Sequence, residues 1–98
     1  MRPHLPERAA ADIRRLAEKH GVRKVVLFGS RARGTHGPKS DIDLAVYAGE
    51  ESFVSFTGAV EDDAWTLLPF DFVDMNASLS AEFLAEIERE GVVLYEKV

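Results

Sequence analysis

Val25-Val26-Leu27-Phe28-Gly29-Ser30-Arg31-Ala32-Arg33-Gly34 leads through Thr35–Ser40 into Asp41-Ile42-Asp43-Leu44-Ala45-Val46-Tyr47. The four apolar residues before Gly29 form a run too short for a helix and rich in valine, which reads as a strand buried on both faces. Thr35–Ser40 (THGPKS) is a loop by its Gly, Pro and Ser content. From Asp41 the residues alternate, with Ile42, Leu44 and Val46 on one face and Asp41, Asp43 and Ala45 on the other. That is a strand with a single apolar face. A buried strand, a glycine turn and a half-polar strand in this order point to a sheet covered by helices.

The flanks agree. Leu5, Ala9, Ile13 and Leu16 recur at helical spacing, and Arg8, Arg14, Arg15 and Lys19 fall to solvent, predicting a helix from about Pro6 to His20 with Gly21 as its cap. A second helix is expected between about Glu51 and Leu67, with Phe53, Phe56, Val60, Ala64 and Leu67 near one face and Trp65 as a core anchor. Phe70–Met75 reads as a third strand. Ser80–Glu90 reads as a last helix with Phe83, Leu84 and Ile87 inward, and Val92–Tyr95 as a terminal strand. The order αβ(α)βαβα(β) describes an α/β fold, one small domain over residues 1–98 with a sheet packed against helices.

The aspartates and the turn carry the chemistry. Period-two geometry puts Asp41 and Asp43 on one sheet face, close enough to share a divalent cation. Without a cation or donors such a pair is costly, and hard oxygen ligands beside a phosphate site favour Mg²⁺, with Mn²⁺ the other candidate. Gly29 permits close backbone approach. The Ser30 hydroxyl and the amides after it can donate to phosphate oxygens, and Arg31, Arg33 and Lys39 supply positive charge. The segment is not a Walker A loop, because GSRARG lacks the Gly-Lys-Ser/Thr ending. Taken singly, each piece has a plainer reading as a turn, a solvated strand face or exposed surface charge. Their order along the chain argues for a single site.

An in-line displacement on two metals needs a third carboxylate. In the third strand, Phe70 and Phe72 take the core face, which turns Asp71 to the opposite face with Val73 and leaves Asp74 with the phenylalanines. Asp71 is therefore the expected third ligand or general base, and Asp74 a strand-end carboxylate.

Composition limits the alternatives. The chain has 98 residues, no cysteine and a net charge of −5. Disulfides and thiolate metal sites are excluded, and a reducing cytoplasm is the natural setting. No apolar run approaches the roughly 18 residues of a membrane span. Residues 1–40 hold ten Lys/Arg against three Asp/Glu, and residues 41–98 hold two against fourteen. So acidic a chain argues against non-specific nucleic-acid binding. His4, His20 and His36 show no metal spacing, and only His36 lies in the motif loop. Tyr47 and Tyr95 read as packing residues.

Gly29–Gly34, Ser40-Asp41-Ile42-Asp43-Leu44 and Asp71 together resemble the minimal nucleotidyltransferases of the DNA polymerase β superfamily. The ten residues between Ser30 and Asp41 are most similar to the MntA-type antitoxins of MNT–HEPN pairs. The resemblance implies a mixed sheet with two Mg²⁺ held by Asp41, Asp43 and Asp71. It implies a triphosphate held at Gly29 and Ser30, with Arg31, Arg33 and Ser40 completing the nucleotide-binding set. It further implies transfer of AMP from ATP to a hydroxyl, a tyrosine on a helical HEPN toxin. The carboxylate face is expected to stand open, so that an acceptor protein or a second subunit would have to exclude water. The competing readings are an antitoxin acting by contact alone and an antibiotic-modifying nucleotidyltransferase, which the missing second domain disfavours.

Overall fold

The structure is a computed structural model that describes residues 5–97. His4 lies outside the described residues. Four strands, β1 (Lys24–Phe28), β2 (Ile42–Tyr47), β3 (Phe70–Asp74) and β4 (Val92–Glu96), form one sheet in the order β3-β2-β1-β4. β1 runs antiparallel to both neighbours, and β2 and β3 are parallel, so the sheet is mixed. The parallel pair needs a crossover, which α3 (Glu50–Asp63) provides.

Helices cover both faces. α1 (Glu7–Lys19) and α3 pack on one, where Ile13, Leu16, Leu27, Ile42, Leu44 and Phe56 are fully buried. Each such side chain contributes roughly 1.5–3 kcal/mol by leaving water. α4 (Ala81–Glu90) takes the other face, seating Ile87 against Val26 and Ala45 with Phe83 alongside. β1 is therefore buried from both sides, as its continuous apolar run requires.

Helix ends follow local chemistry. α1 stops where the Gly21 amide donates to Glu18 and the Val22 amide to Ala17, with Gly21 at φ 71°, a paired closure that favours glycine. Ser80 caps α4 by accepting from the Phe83 amide. α3 is shorter than its periodicity suggests, ending at Asp63 rather than near Leu67. Acidic Asp62 and Asp63 oppose the helix dipole there, and the Trp65 amide donates instead to Asp12 Oδ2 at 2.9 Å.

Three expectations about core residues fail. Leu67 is fully exposed, and Trp65 is 53% exposed with the Arg8 guanidinium 5.2 Å from its ring, a surface cation–π contact rather than a core anchor. Leu84 is also exposed, because the narrow apolar face of α4 turns Ile87 and Phe83 inward instead. Among the described residues no helix is long and apolar enough to cross a membrane.

Candidate active site

The turn leaving β1 is made possible by Gly29, whose backbone (φ 75°, ψ −154°) lies in a region open almost only to glycine. A side chain there would also run into the Asp43 carboxylate. The Asp43 carboxylate and the Gly29 backbone thus share one small space, an approach that any Cβ would fill.

After Gly29 the chain winds into α2 (Ser30–Arg33), a single turn closed by Gly34 at φ 81°. The amides of Ala32 and Arg33 donate to the Gly29 carbonyl, and those of Gly34 and Thr35 to the Ser30 carbonyl. These four amides are spent within the turn. Arg31 is 4% exposed and donates from Nε to the Ser40 carbonyl at 3.1 Å. It points into the protein and ties the turn to the end of the motif loop. His36, in that loop, is partly buried.

Ile42 and Leu44 face the α1/α3 core, which turns Asp43 to the α4 face, opposite Phe28 on β1. Asp41 sits just before β2 and is exposed. On the other side, the parallel register sets Asp71 opposite Asp43, flanked by the pairs Ile42–Phe70 and Leu44–Phe72. Phe70 and Phe72 pack on the core with their rings stacked 5.6 Å apart, which fixes the parity of β3. Asp74 lies at the strand end, where its Oδ1 accepts from the Asn76 amide at 2.9 Å.

The electrostatics reflect this crowding. Burial pushes the Asp43 carboxyl above its ordinary range, and the charges of Asp71 and then Asp41 push it further, while Arg33 opposes them. Asp43 thus feels both other aspartates. Among the described residues, no three His, Cys, Asp or Glu side chains stand close enough together to hold a metal ion as placed. The donor set fits Mg²⁺: hard carboxylate oxygens, a partly desolvated central member, and glycine where a side chain would displace it.

The arrangement departs from the sequence-based picture in one further respect. The carboxylate face is not left open: α4 covers it beside Asp43, through Ile87 on Val26 and Ala45 and an edge-to-face contact of Phe28 with Phe83. The end of the sheet carrying Asp41 and Asp71 remains exposed. Arg33 is engaged too, its Nη1 lying 3.1 Å from Glu90 and 3.9 Å from Glu86 on α4. Glu86 and Glu90 were not foreseen as site neighbours. Their four-residue spacing shows that they share a helix face, but not which face of the sheet that helix meets. A hollow of about 430 Å³, bordered by Arg23, Lys24 and Tyr47, lies at the far end of β1 and β2.

The family model described as "Polymerase beta, Nucleotidyltransferase" matches residues 11–98, a span containing the turn and all three aspartates. The chain belongs to this family. It is a nucleotidyltransferase with the polymerase β-type fold.

A relative of this nucleotidyltransferase is "Putative protein adenylyltransferase MJ1379" of Methanocaldococcus jannaschii, 41% identical over 46 residues. That match takes in 47% of this chain and 46% of the relative, so it spans about half of each. Two solved structures share the fold. One is a toxin–antitoxin with AMP-PNP, at TM-score 0.64 and 24% identity. The other is a mutant of the toxin–antitoxin MntA-HpeT, at TM-score 0.64 and 22% identity. Each alignment covers 90% of this nucleotidyltransferase and 73% of the other chain.

Proposed function

We propose that this nucleotidyltransferase uses Mg²⁺ and moves AMP from ATP onto a hydroxyl, a tyrosine of a partner HEPN-type toxin, and so acts as its antitoxin. The observation that carries the chemistry is the row of Asp41, Asp43 and Asp71 at one end of the sheet, against the Gly29–Ser30 turn. In this reading all three aspartates hold metal, Mg²⁺ supplying charge neutralisation for the triphosphate and the leaving pyrophosphate. Ser30 donates to the phosphates, since the later amides of α2 are consumed within the turn. Arg33 adds positive charge, and Arg31 contributes by fixing Ser40 and the loop that ends at Asp41. Asp71, exposed at the sheet edge, lies where an acceptor hydroxyl can approach and is the group that takes its proton.

The choice of AMP and of a protein acceptor is supported by the adenylyltransferase name of the archaeal relative. The toxin partner is supported by the toxin–antitoxin structures that share the fold. The whole of residues 1–98 is read as one minimal nucleotidyltransferase domain working in the cytoplasm. The test mixes the purified chain with the product of the neighbouring gene, ATP and Mg²⁺, and weighs that product intact. The expected result is a mass gain of one or more AMP groups on a tyrosine. A partner that is bound and silenced but unmodified would instead establish a contact-only antitoxin. Modification of an aminoglycoside with no protein acceptor would establish a small-molecule enzyme.

A further inference from the structure

Arg33 closes α2, the four-residue turn that begins at Ser30, and its guanidinium reaches across to α4. There Nη1 lies 3.1 Å from Glu90 Oε2 and 3.9 Å from Glu86 Oε1, two carboxylates one helical turn apart. Glu90 is the less exposed of the two acids, and its other oxygen lies 3.7 Å from Arg89 Nη2.

The end of α4 that bears Glu90 is anchored. Ile87 is buried against Val26 and Ala45, and Gly91 sits so close to the Ile87 carbonyl and the Val26 side chain that no Cβ fits. Glu90 is therefore a fixed point on a packed element, whereas α2 is a single turn. Arg31 grips that turn from the inside through the Ser40 carbonyl, and Arg33 grips it from the outside through Glu90. The Arg33 charge also reaches Asp43, where it opposes the other aspartates.

We propose that Glu86 and Glu90 are positioning residues of the nucleotide site, holding Arg33 near Asp43 in the orientation that receives the triphosphate. This rests on the nucleotidyltransferase reading with ATP as the donor. Both carboxylate contacts converge on one terminal nitrogen of a guanidinium that carries five N–H donors, so anchoring does not exhaust the fork. A long side chain ordered in advance loses less freedom when the anion arrives, and tighter binding follows. The contacts also link nucleotide binding to α4, an element that the sequence motif does not include.

The experiment titrates Mg·ATP into the full chain, following binding with a fluorescent ATP analogue, and measures transfer kinetics in parallel. The variants are Glu90→Gln, Glu86→Gln with Glu90→Gln, Arg33→Gln, and Arg33→Gln with Glu90→Gln. Glu90→Gln should raise Kd and KM for Mg·ATP about two- to fivefold, the range of a partly exposed ion pair, with kcat little changed. The Glu86/Glu90 double variant should lose at least as much. Adding Glu90→Gln to Arg33→Gln should cost nothing more, because the acid acts through the arginine. Equal or tighter nucleotide binding by Glu90→Gln would overturn the proposal and mean that the pair is inert or withholds Arg33. Fully additive losses would overturn it as well. If the wild-type chain binds Mg·ATP but transfers nothing, the binding series still decides the role of Glu90, and the failure falls on the proposed reaction. A wild-type chain that binds no nucleotide would overturn both.

Discussion

Asp71 stands beside Asp43 in the parallel register of β2 and β3, so two carboxylates from strands separated by a whole crossover helix share one end of the sheet. With Asp41 two residues before Asp43, the charges of Asp71 and Asp41 both bear on Asp43, and Arg33 opposes them there. The folded chain holds this repulsion in place through the packing of Ile42, Leu44, Phe70 and Phe72 behind it.

Burial of Asp43, reinforced by that repulsion, sets a pH and metal dependence. The Asp43 carboxyl is raised in the folded state, so the folded chain holds its proton more tightly than the unfolded chain does. In metal-free buffer, stability should fall as pH rises from the unfolded carboxylate range through the raised folded value. Asp43→Asn should flatten that fall and melt a few degrees higher than wild type at neutral pH. Mg²⁺ should raise the wild-type melting temperature more than that of the variant. Melting curves at several pH values, with chelator and with Mg²⁺, check all of these.

The aspartates should separate by role. Asp41→Asn, Asp43→Asn and Asp71→Asn should each lower nucleotide transfer by about a hundredfold or more, the scale of losing a main electrostatic contact to a reacting group. Asp74→Asn should keep most activity, because its oxygen serves the Asn76 amide and an asparagine oxygen can still accept that bond. Single-turnover assays with the four proteins decide this, and an inactive Asp74→Asn beside an active Asp71→Asn would reverse the assignment.

Gly29→Ala should be damaging beyond its size. The backbone at φ 75° and ψ −154° costs an alanine about 1–3 kcal/mol, and the added methyl would displace the Asp43 carboxylate. Nucleotide transfer should be lost while the chain still folds at low temperature. Circular dichroism beside the transfer assay shows whether the two effects part in this way.

Arg31→Leu tests the inner tie of the turn. It removes a buried, charged donor from the Ser40 carbonyl, a bond of a kind worth about 1.5–3 kcal/mol. Urea denaturation should show a loss of that order. Nucleotide affinity should fall as well, because the loop leading to Asp41 is no longer held. A variant with wild-type stability would mean that the bond contributes little.

Much of the architecture and the row of aspartates could be read from local pattern. The apolar run Val25–Phe28 demanded a strand covered on both sides, and the alternation after Asp41 turned two carboxylates away from the core. The phenylalanines of β3 did the same for Asp71, and the register with β2 bears out that parity. These features were legible because strand periodicity is fixed by backbone geometry and holds wherever one face is buried.

Other features depended on contacts between distant segments, to which periodicity is blind. Trp65 and Leu67 continue the helical spacing of α3, yet a bond from the Trp65 amide to Asp12, 53 positions away, takes the chain out of the helix. Arg31 and Arg33 look alike in sequence, but the fold buries one on the Ser40 carbonyl and pairs the other with Glu86 and Glu90. The sequence determined which side chains leave each strand together, because alternation is a property of the strand itself. Only the tertiary structure decided that α4 lies on the carboxylate face and meets Arg33, because that placement depends on how Ile87, Phe83 and Gly91 fit against Val26 and Ala45.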